Sequence, residues 1–81
     1  MAKYDPLRSE LRQRDSGRIT MRFDEIAALV GGLPRSAYIY PAWWSNERGG
    51  RHVQAHSWIE AGFEAVAVDL ARGCVTFARR A

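Results

Sequence analysis

Cysteine is almost missing. Cys74 stands alone in 81 residues, so no intrachain disulfide can form. A secreted domain this small usually relies on several bridges, which points to a reducing, cytoplasmic setting. Long apolar runs are also absent. None approaches the roughly 18 residues of a membrane span, and the opening stretch MAKYDPLRSELRQR has no apolar segment of the secretion-signal kind. Lysine is scarce: Lys3 is the single one among 12 basic residues, and the rest are arginine. There is no repeat, low-complexity tract or linker. Gly49-Gly50 is too short for a phosphate loop and follows no strand.

What is present describes an ordinary globular domain, 47% hydrophobic and 26% charged. The length suits one domain with a core of about 20 to 25 side chains and a net stability on the order of 5 kcal/mol. The formal charge of +3 is a weak nucleic-acid signal. The arginine bias strengthens it, because the guanidinium fork suits phosphate and guanine edges better than an ammonium does. A GC-rich genome would produce the same bias.

The pattern predicts an α+β fold. A helix over Pro6–Arg14 has Asp5 as N-cap and Leu7 with Leu11 as its apolar face. Arg18–Arg22 alternates like a half-buried strand. A helix over Phe23–Val30 carries Asp24 and Glu25 in its first turn and ends at Gly31-Gly32. Pro34 opens a short helical turn, Trp43-Trp44 suggests a brief strand, and Asn46–Gly50 a mobile loop. A helix over His52–Ala61 buries Ala55, Trp58 and Ile59, turns Val53, His56, Ser57 and Glu60 outward, and is closed by Gly62. A hairpin follows, Phe63–Leu70 and Cys74–Arg79 around Ala71-Arg72-Gly73, with Val66, Val68, Val75 and Phe77 pointing inward.

This order maps onto a winged helix-turn-helix: three main helices, a short strand and a C-terminal β-hairpin. The 19-residue connection Leu33–Arg51 is long for that arrangement. Ala27 four residues before Gly31 permits a close helix-helix turn. Two recognition helices compete, Arg35–Tyr40 and His52–Ala61. The second is preferred because the hairpin follows it directly. Its groove-facing set is Arg51, His52, Gln54, His56 and Ser57, with Arg35, Arg48 and Arg72 on phosphates and Arg72 at the wing tip. The same residues would also fit a merely solvated face.

A second signal is Trp43-Trp44-Ser45-Asn46 with Arg48 and Arg51 after it and Arg35, Tyr38 and Tyr40 before it. Aromatic faces interleaved with arginine suit a single-stranded nucleic acid. Paired tryptophans in so short a chain are more often core, so one of the two is expected inside, as is Trp58. His52 and His56 have the i, i+4 spacing of metal ligands, but neither a third ligand nor a glutamate between them completes an H-E-x-x-H site. Ser57 beside His56 makes no triad. No catalytic residue, metal or cofactor is assigned, and no small-molecule substrate.

Several blocks carry a resemblance: Tyr4-x-Pro6-Leu7, Phe23-x-Glu25-Ile26, Leu33-Pro34-x-Ser36-Ala37, Trp43-Trp44-x-Asn46, Trp58-x-x-x-Gly62-Phe63 and Val75-x-Phe77-x-Arg79. Through them the chain resembles a family of small, uncharacterised bacterial and phage domains from Tyr4 to Arg79. The resemblance implies a domain that stands alone or is appended to larger proteins, some with nuclease-like parts. It singles out Ser36, Trp43, Trp44 and Asn46 as a shared cluster, whose polar members could equally cap a helix or tie a loop.

The expectation is therefore a non-enzymatic DNA-binding domain of winged-helix type, a transcriptional or phage- or defence-related regulator, with a homodimer compatible with the small core. The alternative is a protein-interaction module, such as a phage-encoded inhibitor or accessory subunit, using the exposed Trp/Tyr/Arg loop.

Overall fold

The structure is a computed structural model that describes residues 2–47 and 53–80. Helix α1 spans Asp5–Gln13 and buries Leu7 and Leu11, as their one-turn spacing requires. Its N-cap is Tyr4, one residue earlier than expected. Asp5 lies inside the first turn and its carboxylate accepts the Ala2 N–H at 3.0 Å. Strand β1 (Arg18–Arg22) and helix α2 (Phe23–Val30) fall where the pattern put them. Gly31 ends α2 in the left-handed conformation at φ 78°, and the Gly32 N–H donates to Ala27 O at 2.8 Å.

Helix α3 is short, Arg35–Ile39, and Pro41–Trp44 forms one 3-10 turn where a strand had been expected. Pro41 starts that turn without needing a backbone donor, and it swings Trp44 under α3, where its indole N–H donates to Ala37 O at 2.9 Å. Helix α4 covers Ala55–Glu60, shorter than the sequence suggested. It leads through Gly62 (φ 91°) into β2, Phe63–Asp69, which returns as β3, Cys74–Arg79. Four α-helices thus stand beside one three-stranded antiparallel sheet of order β1-β3-β2 among the described residues.

One face of the sheet is the floor of the core. Ile19, Met21, Phe63, Val75 and Phe77 are buried on it, while Arg18, Thr20 and Arg22 point away. Strand β2 departs from the expected inward set. A β-bulge between Ala65 and Ala67 inserts one residue and turns Val66 out to solvent, while Val68 packs on the core and Val75 and Phe77 are buried as expected. Above the floor a line of rings runs through the molecule: Tyr38 edge-on to Phe23, Phe23 stacked on Trp44 at 4.9 Å, Trp44 on Trp58 at 5.9 Å, and Trp58 against Phe77 at 5.4 Å.

Candidate functional site

Phe23 organises one end of the molecule. It is the first residue of α2, and its N–H donates to Gly73 O at 2.7 Å, which ties α2 to the hairpin turn. Gly73 has φ 68°, a conformation that favours glycine, and a Cβ built there would lie 3.8 Å from the Phe23 ring. On another side the Tyr38 ring meets Phe23 edge-to-face with centroids 5.6 Å apart. The hairpin turn with Arg72, the end of β1 with Arg22, and α3 with Arg35 and Tyr38 are therefore neighbours around one buried ring.

Helix α3 faces solvent with most of its residues. Ala37 is its buried one. Arg35, Tyr38 and Ile39 stand at i, i+3 and i+4 and share an outward stripe. Tyr38, Ile39 and Tyr40 are 42%, 46% and 59% exposed, a run of consecutive apolar and aromatic surface. Arg22, Arg35 and Arg18 form no ion pair with a described residue. The Arg72 side chain is 84% exposed and lies 3.7 Å from Asp69, whose carboxylate also accepts the Arg72 N–H.

Most of the other basic residues among those described are occupied in holding the fold. Arg8 bonds Glu60 at 2.7 Å, joining α1 to α4, and also reaches Asp5. Lys3 donates to Val30 O at the end of α2. Arg14 pairs with Glu10, Arg79 donates to Arg14 O while lying over the Phe63 ring, and Arg80 pairs with Glu64. Among the described residues, Arg18, Arg22 and Arg35 carry no ion pair, and the Arg72 guanidinium, near Asp69, is the most exposed of the paired ones.

Helix α4 corrects the expected groove-facing set. Gln54 and Ser57 are buried. The Gln54 amide donates to Trp43 O at 2.8 Å and the Ser57 hydroxyl to Gln54 O at 2.7 Å. The reason is that α4 is wedged between α1 and β2, so more of its circumference is covered than one apolar stripe implies, and each buried polar group finds a local partner. His56 is exposed, but it lies in a different neighbourhood, 3.9 Å from Glu60 beside Arg8. A cleft of about 520 Å³ separates it from the first turn of α1. Arg48, Arg51 and His52 lie outside the described residues.

The tryptophan cluster is also reassigned. Trp44 is buried, and Trp43 is half-buried between Tyr4 and Trp44. Asn46 works on the fold: its Oδ1 accepts both the Trp58 indole N–H and the Ala65 N–H at 2.8 Å, and its amide donates to Ala65 O at 2.8 Å. Ser45 is half-buried. Of the residues singled out in the sequence, the structure gathers Arg35, Tyr38 and Arg72 around Phe23. It adds Ile39 and, through the backbone next to Phe23, Arg22, neither of which the sequence placed in the site; Tyr40, named there with Tyr38, is exposed. The signal for Ile39 was available in its spacing from Arg35; the nearness of Arg22 to the hairpin depends on strand register.

The sequence profile described as Domain of unknown function (DUF7662) matches residues 4–81. The chain belongs to this family. The match takes in every element of the DUF7662 domain described above, from the Tyr4 cap to β3. No curated protein and no solved structure shows significant similarity to the chain. Among its described residues the DUF7662 domain has no group of three or more His, Cys, Asp or Glu placed to hold a metal ion, and no helix long and apolar enough to cross a membrane.

Proposed function

We propose that this chain is a small, non-enzymatic DNA-binding domain of winged-helix type, a regulator of the cytoplasm, whose wing is the β2–β3 hairpin. The observation that carries the reading is that α3 with Arg35 and the hairpin turn with Arg72 both pack against Phe23, beside the exposed Tyr38. The strand order β1-β3-β2, with α4 feeding the hairpin directly and β3 pairing back to β1, supports it. Phosphate contacts from these arginines give a largely sequence-independent, salt-sensitive affinity. Of the residues expected to read bases, Gln54 and Ser57 are committed inside and His56 lies beside Glu60 and Arg8, which leaves that role to Arg48, Arg51 and His52.

The test is fluorescence anisotropy with a labelled random duplex across a salt series. Binding in the micromolar range is expected, falling steeply with salt. The Arg35→Ala/Arg72→Ala variant removes two phosphate contacts and should shallow the slope of log affinity against log salt by about 1.8. No binding at low salt rejects the DNA reading; binding with an unchanged slope rejects this face.

A second reading, a protein-interaction module such as an inhibitor or accessory subunit, is favoured by the consecutive exposure of Tyr38, Ile39 and Tyr40. Tyrosine and arginine are residue types that dominate binding hot spots.

A further inference from the structure

We infer that the outward face of α3 takes unpaired bases, so that the domain prefers a duplex carrying a single-stranded tail to a blunt duplex; the inference rests on the DNA reading above and names the strand form it serves. Tyr38 and Ile39 on α3 and Tyr40 just beyond it are all exposed aromatic or apolar side chains. Together they offer a platform on which one or two unpaired bases can stack. Its border supplies the matching charge. Arg35 lies one turn before Tyr38 on the same stripe, and the Arg72 turn adjoins Tyr38 through Phe23. Aromatic faces with guanidinium groups at their margin are what a stacked, unpaired strand requires.

The platform is also held in advance. Tyr38 leans on Phe23, Phe23 is stacked on buried Trp44, and the Trp44 indole N–H is bonded to Ala37 O inside α3. A base that stacks there orders little that is not already ordered. Nearby carboxylates temper the attraction. Glu25 accepts the Arg22 N–H and Asp69 accepts the Arg72 N–H, and Asp24 is exposed beside them. The duplex lies along the hairpin turn and the tail runs over α3.

The experiment compares a blunt duplex, the same duplex with a ten-nucleotide tail, and the tail strand alone, each labelled, at low salt by anisotropy. The Tyr38→Ala/Tyr40→Ala variant is measured beside wild type; both side chains are exposed, and far-UV circular dichroism checks its fold. The tailed duplex should bind roughly tenfold tighter than the blunt one. The tyrosine variant should lose that difference and bind blunt and tailed duplexes equally. Equal affinity for blunt and tailed duplexes, or a tail preference that survives the variant, overturns the inference, leaves duplex binding standing, and returns the patch to a protein partner. Failure to bind any of the three DNAs removes the DNA reading itself.

Discussion

Single side chains do most of the joining in this small fold, and Asn46 is the clearest case. Its Oδ1 receives two N–H donors, Trp58 Nε1 and the Ala65 amide, so the orientation of the amide follows from chemistry. Replacing Asn46 by alanine leaves the N–H of fully buried Trp58 without an acceptor, which costs about 2–4 kcal/mol together with the strand contacts. The double-mutant cycle with Trp58→Phe isolates that part. Asn46→Ala should hurt less in the Trp58→Phe background, because the orphaned donor is gone; additive losses in urea denaturation would contradict the assignment. Tyr4 supplies a pH handle at the same scale. Burial raises its phenol above the ordinary value of 10.0. A raised folded pKa means stability that is whole below pH 10 and declines as pH rises further, since the unfolded chain ionises Tyr4 more readily. Tyr4→Phe keeps the ring against Trp43. It should match wild type near pH 7 and be less sensitive to alkali above pH 10, as followed by circular dichroism.

At the scale of elements, the sheet edges are closed by side chains. The register turns the backbone of Arg18, Thr20 and Arg22 to the free edge of β1, because Gly17 and Phe23 bond across to β3 through Arg79 and Gly73. Ser16 Oγ accepts the Arg18 N–H and donates to Arg18 O, and Glu25 accepts the Arg22 N–H. On the opposite edge Asn46 bonds both backbone groups of Ala65. An unblocked edge invites pairing with another chain. The Ser16→Ala/Glu25→Ala variant should therefore sediment faster than wild type at equal, high concentration; unchanged sedimentation would mean that the plugs do not guard the edge. These elements also mark what could be read in advance. Strands β1 and β3 and helix α2 were legible because strict alternation, acidic first-turn residues and a glycine pair each have one structural meaning. Three features were not. The bulge that turns Val66 out leaves no trace in composition. The burial of Gln54 and Ser57 depends on α4 having neighbours on two sides. The 3-10 turn at Trp43-Trp44 exists because Pro41 and the Ala37 carbonyl capture Trp44. Of the site, the arginine and tyrosine types were readable, but their meeting around Phe23 is a product of tertiary register.

For the whole molecule the line of rings from Tyr38 to Phe77 sets the cooperativity. It passes from α3 through α2, the 3-10 turn and α4 to β3, so helices and sheet share a core, with a Cα radius of gyration of 11.4 Å. A chain of this size has roughly 4–12 kcal/mol to lose. Trp44 lies in the middle of the line, and removing it opens a cavity against Phe23 and Trp58 and frees the Ala37 carbonyl. Trp44→Ala should cost about 3–5 kcal/mol, enough to leave much of the population unfolded. The exposed tyrosine face of α3 depends on the same ring, so that variant should lose tail preference and fold together. Tyr38→Ala/Tyr40→Ala should lose the preference alone. In wild type, tryptophan fluorescence and far-UV circular dichroism should trace one coincident urea transition. An earlier loss of the fluorescence signal would mean that α3 and the 3-10 turn melt as a separate unit. The tyrosine platform would then be formed on binding, and its tail affinity would be correspondingly lower.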